Sequence, residues 1–311
     1  MYLENDVSQI SPSIYKLISQ DHYYDNENLL TEDNLKNLSQ FSETIEEPNV
    51  CGEFNSEEHY LKTLRLVLAS TYETRNRVLF FLNQVLPLLP EKKSLLDVGP
   101  GDASLTKYLA KYFKHITATD LNNHVLNNLE KHLPNEIDYV KKVGCVRNLK
   151  FNSNYYDLVV LSHILYYINT NTWLEVINST YKSLKENGLL VIVLGGDELG
   201  KGDLIRDFGG KTLAIDQLAS SCQNIYGHIN VSLSASTESF VSCSRQAMLH
   251  IASFMLGDAN IKANKEDLLK YINKKFRRSE GHYEMTTRQK YILIRKANHH
   301  GNRLAFLEII Y

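Results

Sequence analysis

The feature that most constrains this chain is the alternation of short apolar runs with amphipathic segments between Lys92 and Leu194. The runs SLLDVG, HITATD, IDYV, DLVVLS and LLVIVL are short and β-rich. Set among them, LTKYLAKYF, HVLNNLEKHL and TWLEVINSTYKSL repeat apolar residues at helical spacing. Alternation of this kind predicts an α/β fold, a doubly wound parallel sheet with right-handed crossovers.

The first strand should turn into its helix at Asp97-Val98-Gly99-Pro100-Gly101-Asp102-Ala103-Ser104. Glycine at 99 and 101 lets the backbone turn tightly and approach a ligand without a Cβ in the way. Ser104 stands where a dinucleotide fingerprint needs its last glycine, and the Gly-Lys-Ser/Thr ending of a phosphate loop is missing, so pyrophosphate binding is disfavoured. Asp120 closes the next apolar run, at the end of the neighbouring strand, where a carboxylate can accept both hydroxyls of a ribose. The bland alternative makes Asp97 and Asp120 ordinary strand-end or capping residues.

The flanks differ from this core. Residues 1–50 hold ten Asp or Glu against Lys16 and Lys36, a balance of −8, which leaves +6 for the rest of a chain whose total is −2. Polar and Asn-rich, residues 1–55 read as an acidic N-terminal extension or partly ordered arm. From Ser56, Tyr60, Leu64, Val67 and Leu68 recur at helical spacing, as do Val78, Phe81, Leu82 and Val85 before Pro87 and Pro90. After Leu194 come a Gly-rich stretch, a helical run from Ile215 to Ile225, and the alternating segment INVSLSAS. Helical patterns over Arg245–Leu256 and Lys265–Phe276 follow, then KYILIR. The two alternating runs can pair as an antiparallel edge. The main domain is thus placed at 56–297, with a core at 92–194, a helical lid from 56–91 and 195–285, and a tail at 298–311.

Several function classes are disfavoured. The chain has no apolar run of membrane-spanning length and no signal-peptide pattern, so a soluble cytoplasmic protein is the default expectation. Cys51, Cys145, Cys222 and Cys243 include no CxxC pair, which suggests neither a metal site nor a disulfide framework. The net charge of −2 offers no general attraction to nucleic acid. Residues 262–296 do hold eleven Lys or Arg against four acids. That local excess reads as a solvated helix face, with phosphate, an acidic protein or the acidic arm as alternative partners.

The segments DVGPGDASL, TD, YYDLVVLSHILYYI and SLKENGLLVIV resemble, in order, the motifs of class I S-adenosylmethionine-dependent methyltransferases. The resemblance implies a Rossmann-like seven-stranded sheet and S-adenosyl-L-methionine as cofactor. It implies that Gly99 and Gly101 lie beside the methionine portion, that Asp120 binds ribose, that Ser162 with His163 borders the methyl-transfer position, and that Asp97 belongs to the same cofactor site. Adenine is expected near Gly144 and Cys145.

From about Glu57 to Ala297 the chain is also similar to the histamine N-methyltransferase family, on HYLKTLRLVLASTYE, ILYYI, FMLGDANIKANKEDLLKYINKKF and KYILIR. That resemblance implies N-methylation of a small amine or an imidazole-type N-heterocycle. It assigns Tyr60 and Glu73 to holding the amine; Tyr166 and Tyr167 could supply more aromatic wall, with core packing as the alternative for one of them. A carboxylate attracts an ammonium, and aromatic faces add about 0.5 to 2 kcal/mol of cation–π stabilisation. The family's acceptor-contacting glutamine and asparagine fall on His163 and Thr287. His163 could hydrogen-bond an acceptor nitrogen, act as a base, or be structural. Two further classes stay open: a protein or RNA methyltransferase with the same core, and a non-catalytic binding module that retains the fold. Against the former, LSHILYY contains neither Asn/Asp-Pro-Pro-aromatic nor Pro-Cys; against the latter, Asp97, Gly99, Gly101 and Asp120 are all present.

Overall fold

The computed structural model describes residues 30–47, 51, 54–209, 213–257, 264–278 and 281–297, and the statements below concern these. Seven strands form one sheet: β1 (Ser94–Val98), β2 (His115–Asp120), β3 (Asp138–Val143), β4 (Tyr156–Ser162), β5 (Leu184–Gly195), β6 (Val231–Ser242) and β7 (Tyr283–Arg295). Their order is β3-β2-β1-β4-β5-β7-β6. The first five are parallel, with Leu96 opposite Thr117 in β2 and Val159 in β4, and Val160 opposite Val191 in β5. At β7 the direction reverses: Asn187 N–H donates to Lys296 at one end of β5, and Gly196 N–H, just past its other end, donates to Arg288. The sheet is therefore a mixed, Rossmann-like α/β sheet of seven strands.

Two compact units divide the chain. One comprises Arg77–Gly195, Ala214–Ala235 and the described residues from Lys290. Its central strands read as continuous apolar runs because both faces are covered, and β1 is buried at all five positions. The helix Asn123–His132 lays Leu126 and Leu129 on Ala118 and Tyr139. Phe80 stacks on Tyr291, ring centroids 3.8 Å apart, which ties the helix end before Pro87 to β7. Across the N-terminal ends of β1, β4 and β5, the Asp157 carboxylate accepts from the Lys93 and Ser94 N–H groups and pairs with Lys185 at 2.9 Å.

The other unit comprises the described parts of residues up to Asn76, of Gly196–Leu213 and of Ser236–Gln289. Its core joins Leu66 and Val67 of the helix Glu57–Ala69 to Met248, Leu249 and Ile251 of the helix Arg245–Leu256. Both helices carry the serine caps their sequences offer, Ser56 on the His59 N–H and Ser244 on the Ala247 N–H.

The boundaries differ from the expected ones in three places. Within the expected acidic extension, Glu32–Glu43 is a helix capped by Thr31, and Leu35, Leu38 and Phe41 are buried in the second unit's core. The spacing of those three residues marks a helix face; the acids around them occupy the solvated side, which is why composition alone suggested an arm. Residues 1–29 and the expected tail from 298 lie outside the described residues. The segments 77–91 and Ile215–Tyr226, expected in a lid, belong to the sheet unit. The Gly-rich stretch contains a helix, Leu199–Asp207. Glycine there answers to crowding rather than propensity, since a Cβ on Gly202 would meet the Asp197 carbonyl oxygen at 1.9 Å.

Candidate functional site

In an open parallel sheet, ligands bind outside the carboxyl ends of the strands, where the strand order reverses. Here that point lies between β1 and β4. The turn after β1 has Gly99 at φ +71° and Gly101 at φ +56°, both in the left-handed region that favours glycine. The Gly99 N–H donates to the Thr119 carbonyl at 2.7 Å, pinning the turn to β2. A Cβ on Gly99 would come 2.7 Å from the Ile164 side chain after β4, whereas one on Gly101 would meet nothing within 4 Å. The first glycine thus serves packing and the second leaves an open cradle. Asp102 closes the turn by accepting from the N–H and hydroxyl of Ser104 at the start of the next helix.

Asp97 lies beneath this turn, 3% exposed, and accepts a hydrogen bond from Thr106. Burial pushes its carboxyl up to about 6, opposed by that hydrogen bond and by the Arg77 guanidinium. Asp97 therefore braces the loop from below. Asp120 is half-buried at the end of β2, one oxygen accepting from the Asn122 N–H at 2.8 Å. Burial raises its pKa, against the neighbouring backbone N–H groups. Gly144 donates to the Asp120 carbonyl, bringing the end of β3 alongside. Leu121, 74% exposed, follows directly.

Ser162 ends β4, half-buried. His163 follows at φ +55°, an unusual conformation for a residue with a Cβ, held by its N–H to the Val193 carbonyl at 2.9 Å. Its Nδ1 is 3.1 Å from the Tyr166 hydroxyl, which also accepts from the Gly195 N–H. Tyr167 is 72% exposed. The structure thus gathers Asp97, Gly99, Gly101, Asp120, Ser162, His163, Tyr166 and Tyr167 at one end of the sheet.

The remaining expected residues, Tyr60, Glu73 and Thr287, belong to the other unit. Glu73 opens the helix Glu73–Phe80, half-buried, and accepts from Gln289 Nε2 at 2.5 Å. Thr287, 2% exposed, precedes Gln289 by two positions and so shares its face of β7; its hydroxyl has no hydrogen-bond partner among the described residues. Glu238 is 3% exposed, bonded to Asn76 and Ser236, and its pKa is raised by burial and by Glu73. The half-buried Lys201 is held below the usual lysine range by burial, against the carboxylates of Glu73, Asp197 and Glu198. Tyr60 packs in an aromatic cluster, edge-on to Phe54 at 5.0 Å and stacked on Phe254 at 6.0 Å. Gln289, Glu238, Asn76 and Lys201 were missed because nothing in their local sequence marks them; the fold alone brings them to Glu73.

In the basic stretch, Lys265 pairs with Glu47, Lys270 with Asp267, Arg278 with Glu284 and Lys290 with Asp216. Glu47, in the first of these pairs, lies within the acidic segment. Among the described residues no group of His, Cys, Asp and Glu could hold a metal ion, and no helix is long and apolar enough to cross a membrane.

Residues 96–192 match the model of a family described as a methyltransferase domain. Among solved structures, the chain is similar to a putative methyltransferase from Bacillus halodurans, with 15% identity, a TM-score of 0.50, and coverage of 72% of this chain and 98% of that one. It is also similar to the N-methyltransferase NodS of Bradyrhizobium japonicum, with 13% identity, a TM-score of 0.43, and coverage of 72% and 96%. A third, phosphoethanolamine N-methyltransferase 2 of Haemonchus contortus, gives 14% identity, a TM-score of 0.46, and coverage of 72% and 53%. No curated protein sequence matches. The open cradle at Gly101 and the strand-end Asp120 suit S-adenosyl-L-methionine, the cofactor of this domain. Residues 96–192 thus carry a methyltransferase domain, built on the central strands of a seven-stranded, Rossmann-like sheet.

Proposed function

We propose that the chain N-methylates a small basic molecule, an amine or an imidazole-type N-heterocycle. The observation that carries this reading is the half-buried Glu73 carboxylate, oriented by Gln289. Its field reaches Glu238, whose pKa it raises, and Lys201, whose ammonium it favours, as a carboxylate that attracts cations must. The buried, unpartnered hydroxyl of Thr287 lies on the strand face that presents Gln289 and offers a further polar contact. The resemblance to histamine N-methyltransferases supports the same roles for Glu73 and Tyr60, while His163 and Thr287 in place of that family's amides count against histamine itself as the acceptor.

S-adenosylmethionine supplies an activated methyl group, so the chain's own work is to bind and orient the acceptor's nitrogen and to exclude water. On the family resemblance we assign amine holding to Glu73 and Tyr60 in one unit; in the other, taken by itself, we assign cofactor contacts to Gly99, Gly101, Asp120 and Ser162, with Asp97 supporting the loop and Tyr166 and Tyr167 as aromatic groups beside them. The test is S-adenosylhomocysteine release across imidazoles, biogenic amines, N-heterocycles, RNA and peptides. Turnover on an amine or imidazole is expected, and Glu73→Gln should raise the acceptor KM while cofactor affinity holds. Turnover on RNA or peptide alone would overturn the reading. Equal loss of both affinities in the variant would remove Glu73 from acceptor binding.

A further inference from the structure

Arg77 lies within the helix Glu73–Phe80, and the helical repeat sets it on the same face as Val78 and Phe81. All three are buried, Arg77 to 8% exposure. Its Nε is enclosed with no hydrogen-bond partner among the described residues. A guanidinium keeps its charge in proteins and can only donate, so what it requires is an anion with lone pairs to offer. Enclosing such a charge is costly until that anion is present.

Asp97, in the same unit, does not complete it. Its carboxyl accepts from the Thr106 hydroxyl, whereas Arg77 acts on it as a charge through space and not by a hydrogen bond. A carboxylate in direct contact with an arginine is held below its ordinary range, while burial holds that of Asp97 above it. The interaction still fixes the neighbourhood: Arg77 stands near the carboxyl end of β1, where Asp97 underlies the turn at Gly99 and Gly101.

From this geometry we propose that Arg77 is a cofactor-binding residue whose guanidinium takes the carboxylate of S-adenosylmethionine. That carboxylate is the cofactor's one anionic group, and it ends the methionine portion that the family resemblance sets beside Gly99 and Gly101. A guanidinium–carboxylate pair is charge-assisted and gains strength where water is scarce. Arg77 thus reads the amino-acid end of the cofactor and discriminates against adenosine compounds that lack it. The inference concerns the cofactor alone and stands whichever acceptor is methylated.

Calorimetry with S-adenosylmethionine and with decarboxylated S-adenosylmethionine, which differ only in that carboxylate, tests the assignment without turnover. The unsubstituted chain should bind the former at least about tenfold more tightly. Arg77→Gln should erase this preference by weakening S-adenosylmethionine alone, and its retained affinity for the decarboxylated form shows that the variant is folded. Arg77→Lys keeps a cation in the core, serves if Arg77→Gln does not fold, and should retain only part of the preference. Equal affinity of the unsubstituted chain for the two ligands would overturn the proposal, as would a folded variant of either kind that keeps the full preference.

Discussion

Replacing Asp97 by Asn tests whether the carboxyl under the glycine turn is held against its ordinary titration. In the folded chain burial lifts its pKa from 3.8 to about 6, opposed by the Thr106 hydroxyl and the Arg77 guanidinium. The folded state therefore binds this proton more tightly than the unfolded state between about pH 4 and pH 6. Stability from Asp97 is present below that window and lost as pH rises through it. A shift of roughly two units corresponds to about 3 kcal/mol at most. Asn keeps the shape without the titration, so the assay is urea unfolding of both proteins from pH 4 to pH 8. The stability of Asp97→Asn relative to the unsubstituted chain should rise with pH, by up to about 3 kcal/mol across the series. A constant offset from other losses does not affect the slope. A flat difference would refute the reasoning, and one that falls with pH would place a stabilised carboxylate beneath the loop instead.

Asp120→Ala removes the carboxylate at the end of β2 and should weaken S-adenosylmethionine binding by about 1 to 3 kcal/mol in calorimetry, through lost charge-assisted hydrogen bonds; unchanged affinity would mean that the cofactor does not use this strand end. Phe41→Ala deletes a ring that is 1% exposed in the core of its unit and should cost about 3 to 5 kcal/mol in denaturant unfolding. A loss below about 1 kcal/mol would return that helix to the status of an appendage.

Much of the core was legible in the sequence because its physics is local. Parallel strands buried on both faces require continuous apolar runs, and SLLDV and DLVVLS can serve no solvated edge. The glycines at 99 and 101 announce positive φ because other residues pay a steric penalty there. Asp120 is marked by closing a strand. The helix Arg245–Leu256 has the bounds that its cap and periodicity predict. By contrast, the helix Leu199–Asp207 was hidden by glycines that only tertiary crowding explains, and β7 begins at Tyr283, seven residues before KYILIR.

What the sequence by itself determined is the order of strands and helices and the chemistry at the ends of β1 and β2, since both follow from neighbours within a few positions. Tertiary structure alone decided which residues share a unit and which polar groups meet. Glu73 and Gln289 are 216 positions apart, and Asn76 and Glu238 are 162 apart. No local pattern encodes such pairs, because they exist only once burial forces each polar group to find a partner across the fold. The same holds for Leu35, Leu38 and Phe41, whose apolar face looks like part of an acidic arm until the surface that covers it is known.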